Sequence, residues 1–540
     1  TDLKKRDPYD ADVKIFPYVN GGLFREDTEI PNFTEEAKQF LLEKVARPVN
    51  WSQISPTIFG GIFESTLNPE TRRSGGMHYT SPENIHKVID PLFLDELKAE
   101  FAAIRDEEGT TPRKKKNALA RFHAKLCSLK FFDPACGSGN FLTETYICLR
   151  KLEDAVLNEL RQGQTEFAFV DDEVGGRRVS LNQFYGIEIN DFAVKVAESA
   201  LWISRLKANG ENFMFYEIGH NDFPLNESAN IVEGNALRID WNDVLPAANC
   251  SFVMGNPPFV GFKSASQAQK DDMHAIFGLQ AKLLDYVCAW YMKAGRYMQN
   301  TSCHAAFVST NSVCQGKMAA DLWSQLQRGL GVQIDFAHRT FVWDSEASEK
   351  ASVHCVIVGF SKEGVSEKKI YFDDEERVVK NINCYLIDFE DVYIMSRTKP
   401  ICDVPPMIMG NQAMDGGNLI IDAAEYDEFM RRQPEAAPYV KRYMMGNEFI
   451  NGKLRWCLWL DGVSDDVING MALVRERVER VRAMRALSND SGARKRASTP
   501  HLFREQRNPK HFVAIPITSS QNRDYVPIGF LDDGVIAGNT

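Results

Sequence analysis

LKFFDPACGSGNFL (129–142) reads as the end of a strand, a glycine-rich turn and the opening of a helix. Phe131 and Phe132 close an apolar run, Asp133 to Gly139 form the turn, and Asn140 begins a helical pattern (TETYICLRKLEDAVLNEL). A strand, a Gly-x-Gly loop and a helix make a cradle in which the backbone can approach a nucleotide-type ligand. The last glycine of the dinucleotide pattern is missing, and Asp133 stands where a pyrophosphate would be repelled. A cationic, amino-acid-bearing cofactor such as S-adenosylmethionine fits this cradle better. A glycine-rich turn with no ligand is the plainer alternative.

Two further strands follow. FYGIEI (184–189) ends in Glu188 and is followed by a helical pattern. An acidic residue at the tip of a second strand is the usual partner of ribose hydroxyls. The interval from Gly139 exceeds the roughly 20 residues usual for such a pair, and the polar stretch 163–180 accounts for it as an insertion. NIVEGNALRIDW (230–241) predicts a third strand, with Asn235 after Gly234. The Asn235 amide could pair with an adenine edge, although asparagine also favours turns. Glu188 could equally be a solvated strand-end carboxylate.

FVMGNPPF (252–259) predicts a fourth, buried strand broken at Gly255. Asn256, Pro257, Pro258 and Phe259 then lie at a strand's carboxyl end, where open α/β sheets bind ligands. The prolines remove two backbone donors and leave carbonyls that only accept. Asn256 adds a side-chain carbonyl, so two acceptors can meet one NH2 group, and Phe259 offers a flat face for the ring that carries it. Methylation of an exocyclic amine on a planar ring suits such a loop. Asn-Pro and Pro-Pro are also ordinary turn dipeptides.

In this order, DPACGSGNF, YGIEI, GNAL and GNPPF resemble the amino-methyltransferases of DNA, in particular the N6-adenine group. GMHYTSPENIHKVIDPLF (76–93) resembles the further cofactor element that precedes the glycine loop in the γ order of motifs. LLDYVCAWYMKA (283–294), HAAFVSTNSVCQG (304–316) and IDFAHRTFVWDSEASEKASVHCVIVGF (334–360) resemble its later motifs. The last two, with YVNGGLF (18–24) and ISPTIFGGIFES (54–65), are similar to the MmeI-like Type IIG/IIL restriction–modification polypeptides.

The resemblance implies S-adenosylmethionine as cofactor, double-stranded DNA as partner and an adenine extruded from the duplex as target. It places Tyr79 and Thr80 at the methionine end of the cofactor. Asp133, Ala135, Cys136, Gly137 and Gly139 would form the cofactor loop, Glu188 and Ile189 lie at the ribose, and Asn235 and Ala236 at the adenine. Asn256 and Pro257, with Pro258, would hold the target amine while Phe259 stacks on the base. Many relatives carry Tyr at position 259; Phe keeps the stacking face and loses a hydroxyl. Phe341 resembles a second aromatic wall, with Trp343 as competitor, and both also read as core aromatics. N4-cytosine methylation, protein-glutamine N5 methylation and the DNA-reading part of a fused restriction endonuclease are the alternatives. No PD…(D/E)xK-type constellation is evident, and in related fused enzymes the nuclease lies N-terminal to this region.

The expected architecture is α/β: a Rossmann-like, mostly parallel methyltransferase sheet of about seven strands over 76–360. A helical lead-in over 1–75, including TEEAKQFLLEKVA (34–46), precedes it, and a charged helical insertion lies between Lys98 and Lys125. Residues 361–540 are expected to form a mixed α/β DNA target-recognition domain. At 540 residues and 44% apolar, the chain can bury more than one core. No apolar run suggests a membrane span and no leader opens the chain, so a cytoplasmic protein is expected. The eleven cysteines are scattered without a CxxC pair, so neither disulfides nor a metal site is expected. Oligomeric state has no signature in these patterns. The first residue is not Met and the chain stops at GVIAGNT, as expected of a fragment.

A net charge of −11 contrasts with a DNA-binding role until it is divided. Residues 431–510 hold 17 Lys/Arg against nine Asp/Glu, so this part is positive and the rest correspondingly more acidic. The segment includes VRERVERVRAMRAL (474–487), a predicted helix, and the loop-like GARKRASTPHLFREQRNPKH (492–511). Arg494, Lys495, Arg496, Arg504 and Arg507 in the latter are the candidate phosphate contacts. The helix can also be an ordinary solvated face, with Glu476 and Glu479 as partners.

Overall fold

The computed structural model describes residues 33–46, 80–161, 176, 178–210, 229–343, 353–373, 375–520 and 523–538. Two units divide the chain, Thr1–Ser396 and Arg397–Thr540. The first is built on β1 (Phe131–Asp133), β2 (Phe184–Glu188), β3 (Asn230–Glu233), β4 (Phe252–Gly255), β5 (His304–Thr310), β6 (Gln333–Trp343), β7 (Val353–Ser361), β8 (Lys368–Phe372) and β9 (Glu375–Val379). Their spatial order is β3-β2-β1-β4-β5-β7-β6-β8-β9. Neighbours from β3 across to β5 are parallel, and β7 runs antiparallel between β5 and β6.

Successive side chains on a strand point to opposite faces, and the core divides accordingly. Phe132, Val253, Ala305 and Phe307 belong to one buried cluster, while Phe131, Met254, Ala306 and Val308 belong to the other. Phe131 stacks on Phe184 with ring centroids 5.4 Å apart. Burial on both faces explains why these strands read as near-continuous apolar runs.

Helices cover the sheet. Among the residues of the expected lead-in, α1 (Glu35–Phe40) continues through Leu41–Ala46 and is capped by Thr34, whose hydroxyl accepts from Ala37 N. The rest of 1–75 lies outside the described residues, except Phe33 and Thr34 themselves. α2 (Pro82–Ile89) has a Ser81 cap and proline in its first turn, and it buries Ile85, Val88 and Ile89. The charged insertion forms two helices, α3 (Asp95–Asp106) and α4 (Pro112–Ser128). α5 (Asn140–Arg161) follows the glycine loop, and α6 (Asp191–Gly210) follows β2. α7 (Gln267–Phe277) and α8 (Cys288–Tyr297) lie between β4 and β5 in the chain.

The sheet does not stop at 360. β8 pairs in parallel with β6 through Phe336 and Lys369, and β9 closes a hairpin on β8, so pairing continues to Val379. β6 would otherwise present an open edge, which proteins generally cover. The third strand is shorter than NIVEGNALRIDW suggested, because the chain turns at Gly234.

The second unit is mixed α/β. It contains β10 (Ile420–Asp422), β11 (Val440–Met444), β12 (Arg455–Leu458), β13 (His511–Ala514), β14 (Gly529–Asp532) and β15 (Val535–Ala537). A four-stranded sheet has the order β10-β12-β11-β15, and β13 pairs with β14. α9 (Ala472–Ala486) buries Val474, Val478 and Val481 at helical spacing in this unit's core.

Candidate functional site

Strand order reverses between β1 and β4, so the loops after these neighbouring parallel strands flank one crevice. On the β1 side, Ala135 N donates to Asp133 Oδ1 (2.9 Å). Gly137 N donates to Glu188 Oε2 and Asn190 N to Glu188 Oε1, both at 2.9 Å. Glu188 therefore ties the glycine loop to the tip of β2. A Cβ on Gly139 would lie 2.9 Å from Ala197 Cβ of α6, so only glycine lets loop and helix approach this closely. Cys136 is buried with its sulfur close to Gly186, and burial pushes its thiol pKa well up. It is a packing residue, with no thiolate for nucleophilic chemistry.

Asp133 and Glu188 are both buried, and neither pairs with a cationic side chain among the described residues. Burial is the main cause that raises the Asp133 carboxyl to about 8; Ala135 N–H opposes it and the nearby Glu188 charge adds to it. Burial also raises Glu188, against the donated hydrogen bonds. A cradle with two uncompensated acidic groups and an open backbone at Gly137 suits a ligand that brings positive charge.

On the β4 side, a Cβ on Gly255 would lie 2.4 Å from Asp133 Oδ1, so the two loops meet here. Asn256 follows. Its Nδ2 donates to Thr80 Oγ1 (3.2 Å) at the start of the α2 segment. Its Oδ1 is buried without a hydrogen-bond partner. Pro257 is buried, and Pro258 and Phe259 are half-buried. Phe259 and Phe341 both pack at the margin of the same hydrophobic cluster.

Other residues expected at the site differ in how they are engaged. Ile189 is 67% exposed, just beyond Glu188, and Ala236 is buried. Asn235 uses both ends of its amide: Nδ2 donates to Asp272 Oδ2 and Oδ1 accepts from Leu237 N, each at 2.9 Å. An adenine edge would have to share those atoms. The Lys87 ammonium stands 4.7 Å from the Phe341 ring centroid, on a face expected to take a base. Tyr79 and the Trp343 side chain lie outside the described residues.

Several supporting residues carried no role in the sequence reading. Asp285 accepts from Phe262 N (3.4 Å) and Ser312 Oγ (2.7 Å), and Tyr286 N donates to Val260 O (2.9 Å). These bonds hold the chain that leaves the Asn-Pro-Pro-Phe loop. Trp290 Nε1 donates to Pro134 O (3.1 Å), bracing the glycine loop. Asp272 accepts from Asn235, Arg238 and Tyr286. The stretch 283–294, singled out only by resemblance, contains three of these residues.

In the second unit, the arginines of α9 are largely spent internally. Arg485 is fully buried and donates to the carbonyls of Ala413, Met414, Arg496, Thr499 and Leu502. Arg477 pairs with Glu425, Arg480 with Glu476 and Arg482 with Glu479. The solvated-face reading holds for this helix, with Arg485 as a core residue. The run after it is a short helix (Ser491–Lys495), not a loop throughout. Arg494 donates to Ser488 O and Asn489 O, Arg504 to Gln412 Oε1 and Arg507 to Met409 O. Lys495 is exposed and its ammonium has no partner among the described residues, whereas Arg496 is half-buried.

Sheet order, glycine loop and the amide–proline loop at the reversal together define a Rossmann-like methyltransferase domain, followed by a separate α/β unit. A family model described as the DNA-methyltransferase domain of MmeI matches residues 109–372. One described as the MmeI target recognition domain matches residues 388–540. A solved structure of the Type IIL restriction–modification enzyme MmeI in complex with DNA matches with a TM-score of 0.87 and 42% identity. That match covers 99% of this chain and 71% of the MmeI chain. DNA methyltransferase A of Bacillus subtilis (strain 168) is 39% identical over 548 residues, covering 100% of this chain. The chain spans 60% of the length of that curated relative. It belongs to the MmeI family and carries that family's DNA-methyltransferase and target recognition domains. No helix among the described residues is long and apolar enough to cross a membrane.

Proposed function

We propose that this chain methylates the N6 amine of an adenine extruded from a specific site in double-stranded DNA, as the modifying part of a restriction–modification system. The observation that carries the reading is the buried, unpartnered Oδ1 of Asn256, beside a loop whose prolines cannot donate.

Adenine N6 is a poor nucleophile because its lone pair is delocalised into the ring. Asn256 Oδ1 and the Pro257 carbonyl each accept one N6 hydrogen, which favours a tetrahedral nitrogen with its lone pair available. The acceptors are fixed before the amine arrives, so no reorganisation is needed at the moment of reaction. Phe259 gives the extruded ring a stacking face, partly offsetting the cost of unstacking, about a few kcal/mol.

S-adenosylmethionine, when bound, supplies a methyl group on a positively charged sulfur. Asp133, Ala135, Cys136, Gly137 and Gly139 would hold it, with Glu188, Ile189, Asn235, Ala236, Tyr79 and Thr80. The uncompensated acidity of Asp133 and Glu188 supports a cationic occupant of this cradle. Contact between Asp133 and Gly255 supports the neighbourhood of cofactor and amine that transfer requires. In the second unit, Lys495 with Arg494, Arg496, Arg504 and Arg507 would contact phosphates and set register without reading sequence.

The test is transfer from tritium-labelled cofactor to duplex DNA, followed by digestion to nucleosides. Label in N6-methyldeoxyadenosine is expected. Label in N4-methyldeoxycytidine, or in protein glutamine, overturns the reading.

A further inference from the structure

Two clusters among the described residues bring three metal-ligating side chains together: His123, Cys127 and Glu153, and His86, Glu144 and Cys148. The first is saturated. Glu153 Oε1 accepts from His123 Nε2, Arg178 N and Val179 N, and Oε2 accepts from Arg150. It is a buried structural knot whose carboxylate is already held by four donors.

The second cluster is built differently. His86 Nε2 lies 3.4 Å from Glu144 Oε1, and Cys148 Sγ lies 3.9 Å from each of those atoms. The nitrogen–oxygen separation is long for a hydrogen bond. A tetrahedral zinc ion, with bonds of about 2.0–2.3 Å, holds its ligand atoms roughly 3.3–3.8 Å apart. The triangle is therefore close to the dimensions an ion imposes.

Two further features agree. Asp90 Oδ1 stands 2.8 Å from His86 Nδ1, the other ring nitrogen, which selects the tautomer with its lone pair on Nε2. Glu144 and Cys148 are four residues apart on α5 and share one face of it. His86 and Glu144 are 33% and 14% exposed, so an ion and a water as fourth ligand have access.

We infer that His86, Glu144 and Cys148 form a three-ligand site for a zinc-class divalent ion, with Asp90 orienting the imidazole. Imidazole, thiolate and carboxylate together favour Zn2+ or Co2+ over Mg2+ or Ca2+. Thiolate and neutral imidazole are the coordinating forms, so uptake of the ion displaces protons to solvent. α2 begins two residues after Thr80 and α5 begins after Gly139. The ion thus staples together the two helices that lead away from the cofactor cradle, and it takes no part in methyl transfer.

Metal-free protein titrated with Co2+ should take up about one equivalent and show a thiolate-to-cobalt charge-transfer band. Zn2+ should displace the cobalt and raise the Tm of the wild type by a few degrees. Cys148→Ser should abolish the band. Asp90→Asn, which keeps all three ligands, should weaken uptake about 10–100-fold. Cys402→Ser, removing an exposed thiol elsewhere, should change nothing. A band that persists in Cys148→Ser, or no saturable Co2+ uptake by protein with native circular dichroism, overturns the proposal.

Discussion

Asn256 Nδ2 donates to Thr80 Oγ1 at 3.2 Å across 176 residues of chain, and the same amide's Oδ1 is left buried without a partner. An amide anchored at its nitrogen presents its carbonyl. Without the anchor it can rotate and offer an NH2 to another NH2, where neither accepts.

Thr80→Val keeps the shape of the side chain and removes the acceptor. A net neutral hydrogen bond of about 0.5–1.5 kcal/mol corresponds to roughly a 2- to 13-fold loss in single-turnover rate at saturating cofactor and DNA. Thr80→Ser should retain the rate. An unchanged rate in Thr80→Val would remove the anchoring role.

Asp133 makes the free protein sensitive to pH. Its folded-state carboxyl is raised to about 8, chiefly by burial, against about 3.9 in an unfolded chain. Its contribution to stability is thus full below the unfolded value and is lost as pH rises through about 8. A cationic ligand favours the charged carboxylate, so S-adenosylmethionine affinity should increase as pH rises through the same region. Isothermal titration from about pH 6.5 to about pH 9 checks this. Asp133→Asn should bind weakly with little pH dependence, and parallel profiles for the two proteins would contradict the assignment.

Gly255 and Gly137 should respond differently to alanine. At Gly255 a Cβ would meet Asp133 Oδ1 at 2.4 Å, whereas at Gly137 it meets nothing within 4 Å and only the φ of +53° is strained. Gly255→Ala should impair cofactor binding and transfer together. Gly137→Ala should cost stability of about 1–2 kcal/mol, read from denaturant unfolding.

Arg485 and Lys495 separate structure from DNA contact within one basic segment. Arg485→Met removes a donor from five carbonyls, of which Arg496 O and Thr499 O still accept from Thr499 N and Leu502 N, and each buried group left unsatisfied costs about 1–3 kcal/mol. A stability loss above about 3 kcal/mol is expected, measured as a lower urea midpoint. Lys495→Ala should leave stability unchanged and reduce the salt slope of DNA binding by about one unit. A reversed pattern would exchange their roles.

Local signals in the chain were the legible ones. The strand–glycine loop–helix at 131–161 and the loop at 256–259 rest on neighbouring residues whose backbone limits are strong, and both form as read. What depends on distant partners was not legible. β8 joins the sheet by pairing with β6, which no short pattern in KKIYF announces. Arg485 has the composition of a phosphate contact, yet tertiary packing turns it inward. Asn235 reads as a free amide until Asp272, 37 residues on, occupies it. His86, Glu144 and Cys148 show no ligand spacing because 58 residues separate the first two.

The most direct measurement compares Asn256→Ala with the wild type in single-turnover methyl transfer and in equilibrium cofactor binding. Removing a preorganised group of this kind costs about 100-fold or more, so transfer should fall at least that far while the Kd for S-adenosylmethionine stays within a few-fold of wild type. Equal losses in binding and transfer, or transfer near the wild-type rate, would contradict the role of Asn256 as acceptor of the target amine.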